Sequence, residues 1–195
     1  MNVELIAYSS PMPYQCGTAC YFNTVYNPMH IIEQAASVCY DSEPDFVKFK
    51  IAKGCAKTGH LSVYEHAYFT FYVKGISRAC LAQLTRHRHF SFSVRSQRYC
   101  NERCSEPVFP ASTDEDQDGI IADAYDYAWD AYDRLIENGV AKEDARMVLP
   151  NGAPTELYIS ANARALIEAS HLRLCSRAQQ EIRNMFDLML SLIHI

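Results

Sequence analysis

Residues 63–74 read Val-Tyr-Glu-His-Ala-Tyr-Phe-Thr-Phe-Tyr-Val-Lys, and this stretch carries the clearest strand pattern in the chain. Odd positions from Val63 to Val73 fall on one face and even positions from Tyr64 to Lys74 on the other, because successive side chains of a strand point to opposite sides. Aromatic rings occur on both faces, so we expect both faces to be covered. The pattern predicts a strand over 63–74.

Most of the remaining chain has helical rather than strand periodicity. Short strands are predicted only over 3–8 and 155–160. Apolar spacing and capping residues predict helices from Pro28, over 44–57, over 76–84, around 121–135, over 142–148, over 162–172 and from Ser176 to the end. Few strands among many helices predict an α+β fold, with a small, mainly antiparallel sheet flanked by several helices in a single domain over 1–195.

The composition fits a compact domain, since 49% of the 195 residues are hydrophobic and 21% are charged. Charged residues interrupt each long apolar stretch, so no transmembrane segment is expected. The N-terminal run lacks a basic region and soon reaches Ser9, Ser10 and Pro11, which is a poor signal peptide. We therefore expect a cytoplasmic protein whose eight cysteines are reduced thiols.

Two cysteine pairs leave an alternative open. Cys16 and Cys20, like Cys100 and Cys104, are spaced C-x3-C, which falls within the range of zinc ligands. Four thiolates could close one structural zinc site, although buried free cysteine is common. We predict no metal and keep the zinc module as an alternative.

The net charge of −5 is an average over two blocks of opposite charge. Residues 78–103 contain six arginines and one acid, whereas residues 114–133 contain eight acids and no Lys or Arg. The acidic block indicates a solvated helix face. The arginine block indicates an anion site, because the chain has no Gly-rich phosphate loop and the arginine guanidinium is the side chain best equipped to hold phosphate.

The arginine block offers a specific arrangement. If Gln83 lies on the last turn of a helix, it shares a face with Arg86 and His87, and Ser96 and Arg98 share a side if the next segment is extended. Together these residues predict an anion pocket. An arginine-rich surface loop or subunit contact would have the same composition.

A different class of function also fits segment 86–99. Phe90, Phe92 and Tyr99 could stack on bases while the arginines bind phosphates, as in a groove for single-stranded RNA or DNA. The net negative charge argues against this alternative.

The order of residues in this block resembles the signature of the flavin-dependent thymidylate synthases. Arg86-His87-Arg88, seven further residues, and Ser96 match it, followed by the typical Gln97-Arg98-Tyr99. Further blocks similar to the family occur in the family's order over 59–66, 145–150, 162–164 and 172–182. Two departures are Val94, where many members have an acid, and Glu168, where some members place an asparagine near the flavin.

The resemblance implies a reaction, its cofactors and an assembly. The family methylates dUMP to dTMP, taking a methylene from 5,10-methylenetetrahydrofolate and reducing equivalents from NADPH through bound FAD, and it releases tetrahydrofolate. It also implies a homotetramer whose active sites are shared between subunits. From the net charge and the lack of a long apolar span, we expect no nucleic-acid or membrane partner.

The resemblance also assigns residues to these ligands. Residues implied to bind dUMP are Gln83, Arg86, Ser96, Gln97, Arg98, Arg146 and Arg173. Residues implied to bind FAD are His60, Ser62, Arg86, His87, Arg88, Asn162 and Arg164. Arg173 is the implied catalytic residue, because its positive charge next to the uracil would favour the ionised pyrimidine. Glu65 and His66 are expected to be structural, and Glu168 is left out of the site.

Overall fold

A computed structural model describes residues 1–10, 27–102 and 106–193. Within them, one sheet has the strand order β1-β2-β4-β3, and each neighbouring pair is antiparallel. The strands are β1 (Asn2–Tyr8), β2 (Tyr68–Ser77), β3 (Ser91–Val94) and β4 (Pro154–Asn162). The α+β class with an antiparallel sheet is therefore confirmed.

Helices precede, follow and connect these strands. The α-helices are α1 (Met29–Cys39), α2 (Lys50–Lys57), α3 (Arg78–Leu84), α4 (Glu115–Glu137), α5 (Lys142–Ala145), α6 (Ala163–Arg173) and α7 (Gln180–Ile193), and two short 3-10 helices span Leu61–His66 and Arg146–Val148. None of the helices within the described ranges is long and apolar enough to cross a membrane.

The prediction of a strand beginning at Val63 was wrong by five residues. Val63 and Tyr64 are adjacent in sequence and both are buried, which suits the turn of a 3-10 helix and contradicts strand alternation. The Tyr64 hydroxyl donates a hydrogen bond to the Ala52 carbonyl at 3.2 Å and fixes this turn against α2. The strand instead runs on to Ser77 through a bulge at Gly75, where the positive φ of 75° favours glycine.

The prediction of a helix from Pro44 was also wrong at its start. The Asp45 carboxylate accepts hydrogen bonds from the backbone N–H groups of Val47 and Lys48, and so stabilises a turn that competes with the helix. Phe49 then adopts a left-handed φ of 52°, and α2 begins one residue later. Its predicted end before Gly59 is confirmed.

The main hydrophobic core lies on one face of the sheet. Phe69, Phe71 and Val73 of β2 and Leu157 and Ile159 of β4 point into it. Helices α1, α2, α6 and α7 cover this face with buried apolar side chains. The core therefore fixes α6 and its two ends against the central strands.

The described residues cover the other face of the sheet only in part. Tyr68 is 53% exposed and Tyr158 is 47% exposed, although both belong to the two central strands. The expectation that both faces of this strand are covered is therefore not met by the residues that the structure describes. Antiparallel sheets tolerate one solvated face, so the strand pattern did not require a second layer.

Candidate active site

Arg173 is at the centre of the first group of predicted site residues. It ends α6, and its Nε donates to His87 Nε2 at 2.8 Å while its Nη2 donates to the Gln83 carbonyl at 2.7 Å. The Gln83 side chain is hydrogen-bonded to Gln179. We call Gln83, His87, Arg173 and Gln179 the Arg173 cluster. Two contacts hold the guanidinium in one orientation, and no other hydrogen bond within the described ranges occupies the rest of its five donors.

His87 is a neutral acceptor in this cluster. Its ring stacks on Phe90 with centroids 5.1 Å apart and also packs against Phe186. Burial lowers the pKa of His87, and the adjacent Arg173 cation lowers this pKa further. The ring is therefore uncharged near neutral pH, which leaves Nε2 free to accept from Arg173.

A second group of predicted residues surrounds Arg98. Its guanidinium contacts the Glu143 carboxylate at 2.6 Å, and its backbone N–H donates to Ser96 Oγ at 3.2 Å. Arg146 Nε donates to the Glu143 carbonyl at 3.1 Å, so the same residue holds both arginines. We call Ser96, Arg98, Glu143 and Arg146 the Arg98 cluster. Residues 97–99 form a turn, so the assumption of an extended segment here was wrong.

Helix α3 lies between the two clusters. At its start, the half-buried Arg78 donates to the Arg95 carbonyl at 3.0 Å. Burial lowers the pKa of Arg78, and the nearby Arg146 cation acts in the same direction. At its other end lies Gln83 of the Arg173 cluster. The helix has seven residues, so its two ends lie about 10 Å apart.

The third group lines a cleft at the start of α6. The Asn162 side chain caps this helix by accepting from the Ala165 N–H at 2.8 Å. Arg164 Nη1 contacts Glu65 Oε1 at 2.6 Å, and Arg164 Nε contacts Glu168 Oε1 at 2.9 Å. The cleft has a volume of about 220 Å³ and is lined by Glu65, His89, Asn162, Arg164, Ala165 and Glu168. We call it the Arg164 cleft.

The other predicted site residues belong to none of these three groups. Arg86 and Arg88 are exposed in the turn after α3, and neither side chain makes a hydrogen bond or ion pair with another residue in the described ranges. His60 and Ser62 are exposed at the 3-10 helix Leu61–His66, where His60 Nδ1 is hydrogen-bonded to the Tyr40 hydroxyl at 3.1 Å. Gln97 is half-buried in the turn before Arg98.

The residues of the predicted anion pocket fall into groups that are not bonded directly to one another within the described ranges. Among the described residues, no hydrogen bond or ion pair joins the Arg173 cluster to the Arg98 cluster. Arg164 and Arg173 are nine residues apart at opposite ends of α6, which corresponds to about 14 Å. Within the described ranges, each of these guanidinium groups is held by different neighbours.

Three residues in these groups were missed from the sequence. Glu65 was taken as structural because residues 63–66 were predicted as a strand, yet it pairs with Arg164. Gln179 and Glu143 also contact predicted site residues. Gln179 lies within the family-like block 172–182, which was the available signal, whereas nothing in the sequence marked Glu143.

The alternatives can be compared with the same geometry. A nucleic-acid groove requires exposed rings, but Phe90 is buried and Phe92 is half-buried against the core, which leaves Tyr99 as the exposed ring of the three. Cys16, Cys20 and Cys104 lie outside the described residues, so the structure does not test the zinc alternative. In the part of the chain that is described, no group of three or more His, Cys, Asp or Glu side chains could hold a metal ion.

Comparison with known proteins identifies the family. The family model described as thymidylate synthase complementing protein matches residues 22–194. A flavin-dependent thymidylate synthase of Geobacter sulfurreducens is 41% identical over 180 residues, covering 86% of this chain and 78% of that protein. The enzyme of Clostridium tetani is 34% identical over 192 residues, covering 85% and 77%.

A shorter match reaches a higher identity. The flavin-dependent thymidylate synthase of Sulfurisphaera tokodaii is 44% identical over 127 residues, which cover 64% of this chain and about half, 49%, of that protein. With the family model matched over most of its length and relatives of this identity, the chain belongs to the thymidylate synthase complementing protein family of enzymes.

Proposed function

We propose that this chain catalyses the FAD- and NADPH-dependent reductive methylation of dUMP to dTMP. 5,10-Methylenetetrahydrofolate donates the one-carbon unit and tetrahydrofolate is released. The contact that carries the proposal is the guanidinium of Arg173 held between His87 Nε2 and the Gln83 carbonyl. A fixed cation with spare donors is what an ionised uracil needs, and the family membership supports this substrate.

Arg173 acts on the uracil by electrostatics. Loss of the N3 proton gives the pyrimidine a negative charge, which a nearby guanidinium favours. The charge delocalises onto C5 and makes this carbon a better nucleophile toward the methylene carbon. His87 positions Arg173 and contributes no charge of its own, because burial and the neighbouring cation lower its pKa.

The Arg98 cluster suits the phosphate of the nucleotide. Arg98 and Arg146 are held by Glu143, and Ser96 lies beside Arg98, so charge-assisted donors are close together. A nucleoside monophosphate carries its phosphate and its base on opposite sides of the ribose, so the Arg98 cluster would bind the phosphate while Arg173 faces the base. Gln83, Arg86 and Gln97 complete the proposed dUMP site.

The flavin fits the cationic and amide groups of the remaining residues. The exposed guanidinium groups of Arg86 and Arg88, which have no partner among the described residues, suit a pyrophosphate. Asn162 and Arg164 supply donors at the Arg164 cleft. His60, Ser62 and His87 complete the proposed FAD site. When bound, the flavin supplies the reducing equivalents, so no cysteine nucleophile is required.

We further propose that the protein is a cytoplasmic homotetramer with shared active sites. A chain of 195 residues is small for a nucleotide, a folate and a dinucleotide together. Residues from more than one copy would enlarge the site. The exposed rings of Tyr68 and Tyr158 on the sheet, and the distance of about 14 Å between Arg164 and Arg173 on α6, support an assembly in which copies complete one another.

The proposal is tested by formation of dTMP from dUMP with purified protein, FAD, NADPH and methylenetetrahydrofolate. We expect turnover in the wild type and a loss of at least about a hundredfold in kcat for Arg173→Ala, because one transition-state charge contact is removed. Arg134→Ala, which removes an exposed arginine of α4, is the matched control and should keep full activity. Absence of turnover in the wild type, or unchanged kcat in Arg173→Ala, contradicts the proposal.

A further inference from the structure

Glu168 stands out because it occupies the Nε donor of Arg164, a residue of the proposed FAD site. Its Oε1 accepts from Arg164 Nε at 2.9 Å, while Glu65 accepts from Nη1 of the same guanidinium at 2.6 Å. The side chains of all three residues are about half exposed, at 42% for Arg164, 49% for Glu65 and 50% for Glu168. Two carboxylates therefore surround one cation at an open cleft.

The charge of the Arg164 cleft opposes an anionic ligand. One arginine and two glutamates give a formal charge of −1 when His89 is counted as neutral. A pyrophosphate or the electron-rich edge of an isoalloxazine ring would be attracted by Arg164 and repelled by the carboxylates. To donate to such a ligand along its Nε edge, Arg164 must release Glu168.

The two carboxylates differ in what they connect. Glu65 belongs to the 3-10 helix Leu61–His66, so its contact with Arg164 ties that helix to α6. Glu168 lies four residues after Arg164 on the same helix, so its contact ties no elements together. An exposed pair of this kind stabilises a fold by less than about 1 kcal/mol. Glu168 can therefore be exchanged without loosening the cleft.

We propose that Glu168 is an intramolecular competitor for Arg164 that weakens the binding of FAD by this chain. The inference rests on the proposed function, which supplies the flavin as the ligand of the cleft. Glu168 does not contact the reacting atoms. It sets the fraction of molecules in which the Nε edge of Arg164 is free.

The test compares the FAD dissociation constants of apoprotein variants by quenching of flavin fluorescence. Glu168→Gln keeps the shape of the side chain and removes its charge. We expect it to bind FAD about fivefold more tightly than the wild type at low salt. The gain should shrink toward 1 M NaCl, where charges are screened within about 3 Å.

Asp130→Asn is the matched control. Asp130 forms an exposed ion pair with Arg134, four residues later on α4, at 3.7 Å. The variant therefore changes the net charge by the same amount as Glu168→Gln, but on a helix that does not line the cleft. We expect its FAD affinity to equal that of the wild type. Tighter binding in both variants would show an effect of net charge alone and overturn the inference.

The remaining outcomes separate the inference from the proposed function. If the wild type binds FAD and Glu168→Gln binds it equally or more weakly, Glu168 is not a competitor and the inference fails while the proposed function stands. If neither protein binds FAD, the proposed function fails, and the inference fails with it. Thermal unfolding of each variant shows whether an altered affinity comes from altered folding.

Discussion

At the residue scale, the ionisation of His87 shows how much a side chain's role depends on its neighbours. The sequence presents it between two arginines, which suggested one more donor for an anion. In the fold it is half-buried, stacks on Phe90 and accepts a hydrogen bond from Arg173, so its neutral form is the favoured one. His87 therefore stays uncharged, and its role is to hold the Arg173 cation in position.

This gives a prediction for pH dependence. Because the folded-state pKa of His87 lies below its usual value of 6.5, the unfolded chain binds a proton first as the pH falls. The stability contributed by neutral His87 is complete above about pH 6.5 and is lost as the pH falls below it. We expect His87→Gln, whose amide oxygen can still accept from Arg173, to lose less unfolding free energy between about pH 7.5 and about pH 5.5 than the wild type.

Urea denaturation at the two pH values measures this difference. His171→Gln is the control, because His171 is exposed near the same end of α6. An unchanged pH dependence in His87→Gln would show that His87 titrates in the folded state as it does in the unfolded chain.

At the element scale, a buried carboxylate from another helix fixes the start of α2. Glu33 of α1 is completely buried and accepts from the backbone N–H groups of Asp45, Ile51 and Ala52 at 3.0, 3.3 and 2.8 Å. Ile51 and Ala52 lie in the first turn of α2, whose own N-cap, Phe49, supplies no side-chain hydrogen bond. Glu33 therefore caps α2 across space and also neutralises part of its N-terminal dipole.

Replacing this cap should be costly. We expect Glu33→Ala to lower the free energy of unfolding by about 3 kcal/mol, because three charge-assisted hydrogen bonds are lost and buried donors are left unpaired. Chemical denaturation measures the loss, and Glu43→Ala, at an exposed acid nearby, should change it by less than about 0.5 kcal/mol. A loss below about 1 kcal/mol in Glu33→Ala would mean that water replaces the carboxylate at these N–H groups.

At the scale of the whole molecule, the proposed site residues include the end of α3 and both ends of α6. Arg164 and Arg173 lie about 14 Å apart on one helix, and each is fixed by different neighbours. If the assembly shares its sites, Arg164 of one copy can act with Arg173 of another. Two separately inactive variants can then complete one another.

Mixed oligomers test this arrangement. We expect co-expressed Arg164→Ala and Arg173→Ala chains to form some dTMP, because a fraction of the sites receives an intact residue from each partner. Each variant expressed alone should be inactive or nearly so. Mixed preparations no more active than either variant alone would place both arginines of each site on one copy.

The sequence by itself determined the α+β class, the helical periods and the family, because these depend on local spacing and on the order of short motifs. It placed β1, α3, β4 and α6 within a few residues of their positions, and it identified Arg173, Arg98 and Arg164 as residues of interest. It missed the start of β2 because Val63 and Tyr64 fit a strand and a 3-10 turn equally well over so short a stretch. Local pattern also could not reveal the capping of α2 by Glu33.

Only the tertiary structure decided which charges meet. Glu65 reaches Arg164 across 99 positions, Arg173 reaches His87 across 86, and Arg98 reaches Glu143 across 45. Such pairs form because core packing of β2, β4 and α6 brings distant segments together, and burial then sets the ionisation of groups such as His87. The spacing of residues along the chain does not show which distant residues come into contact. The neighbours of each arginine could therefore be read only from the fold.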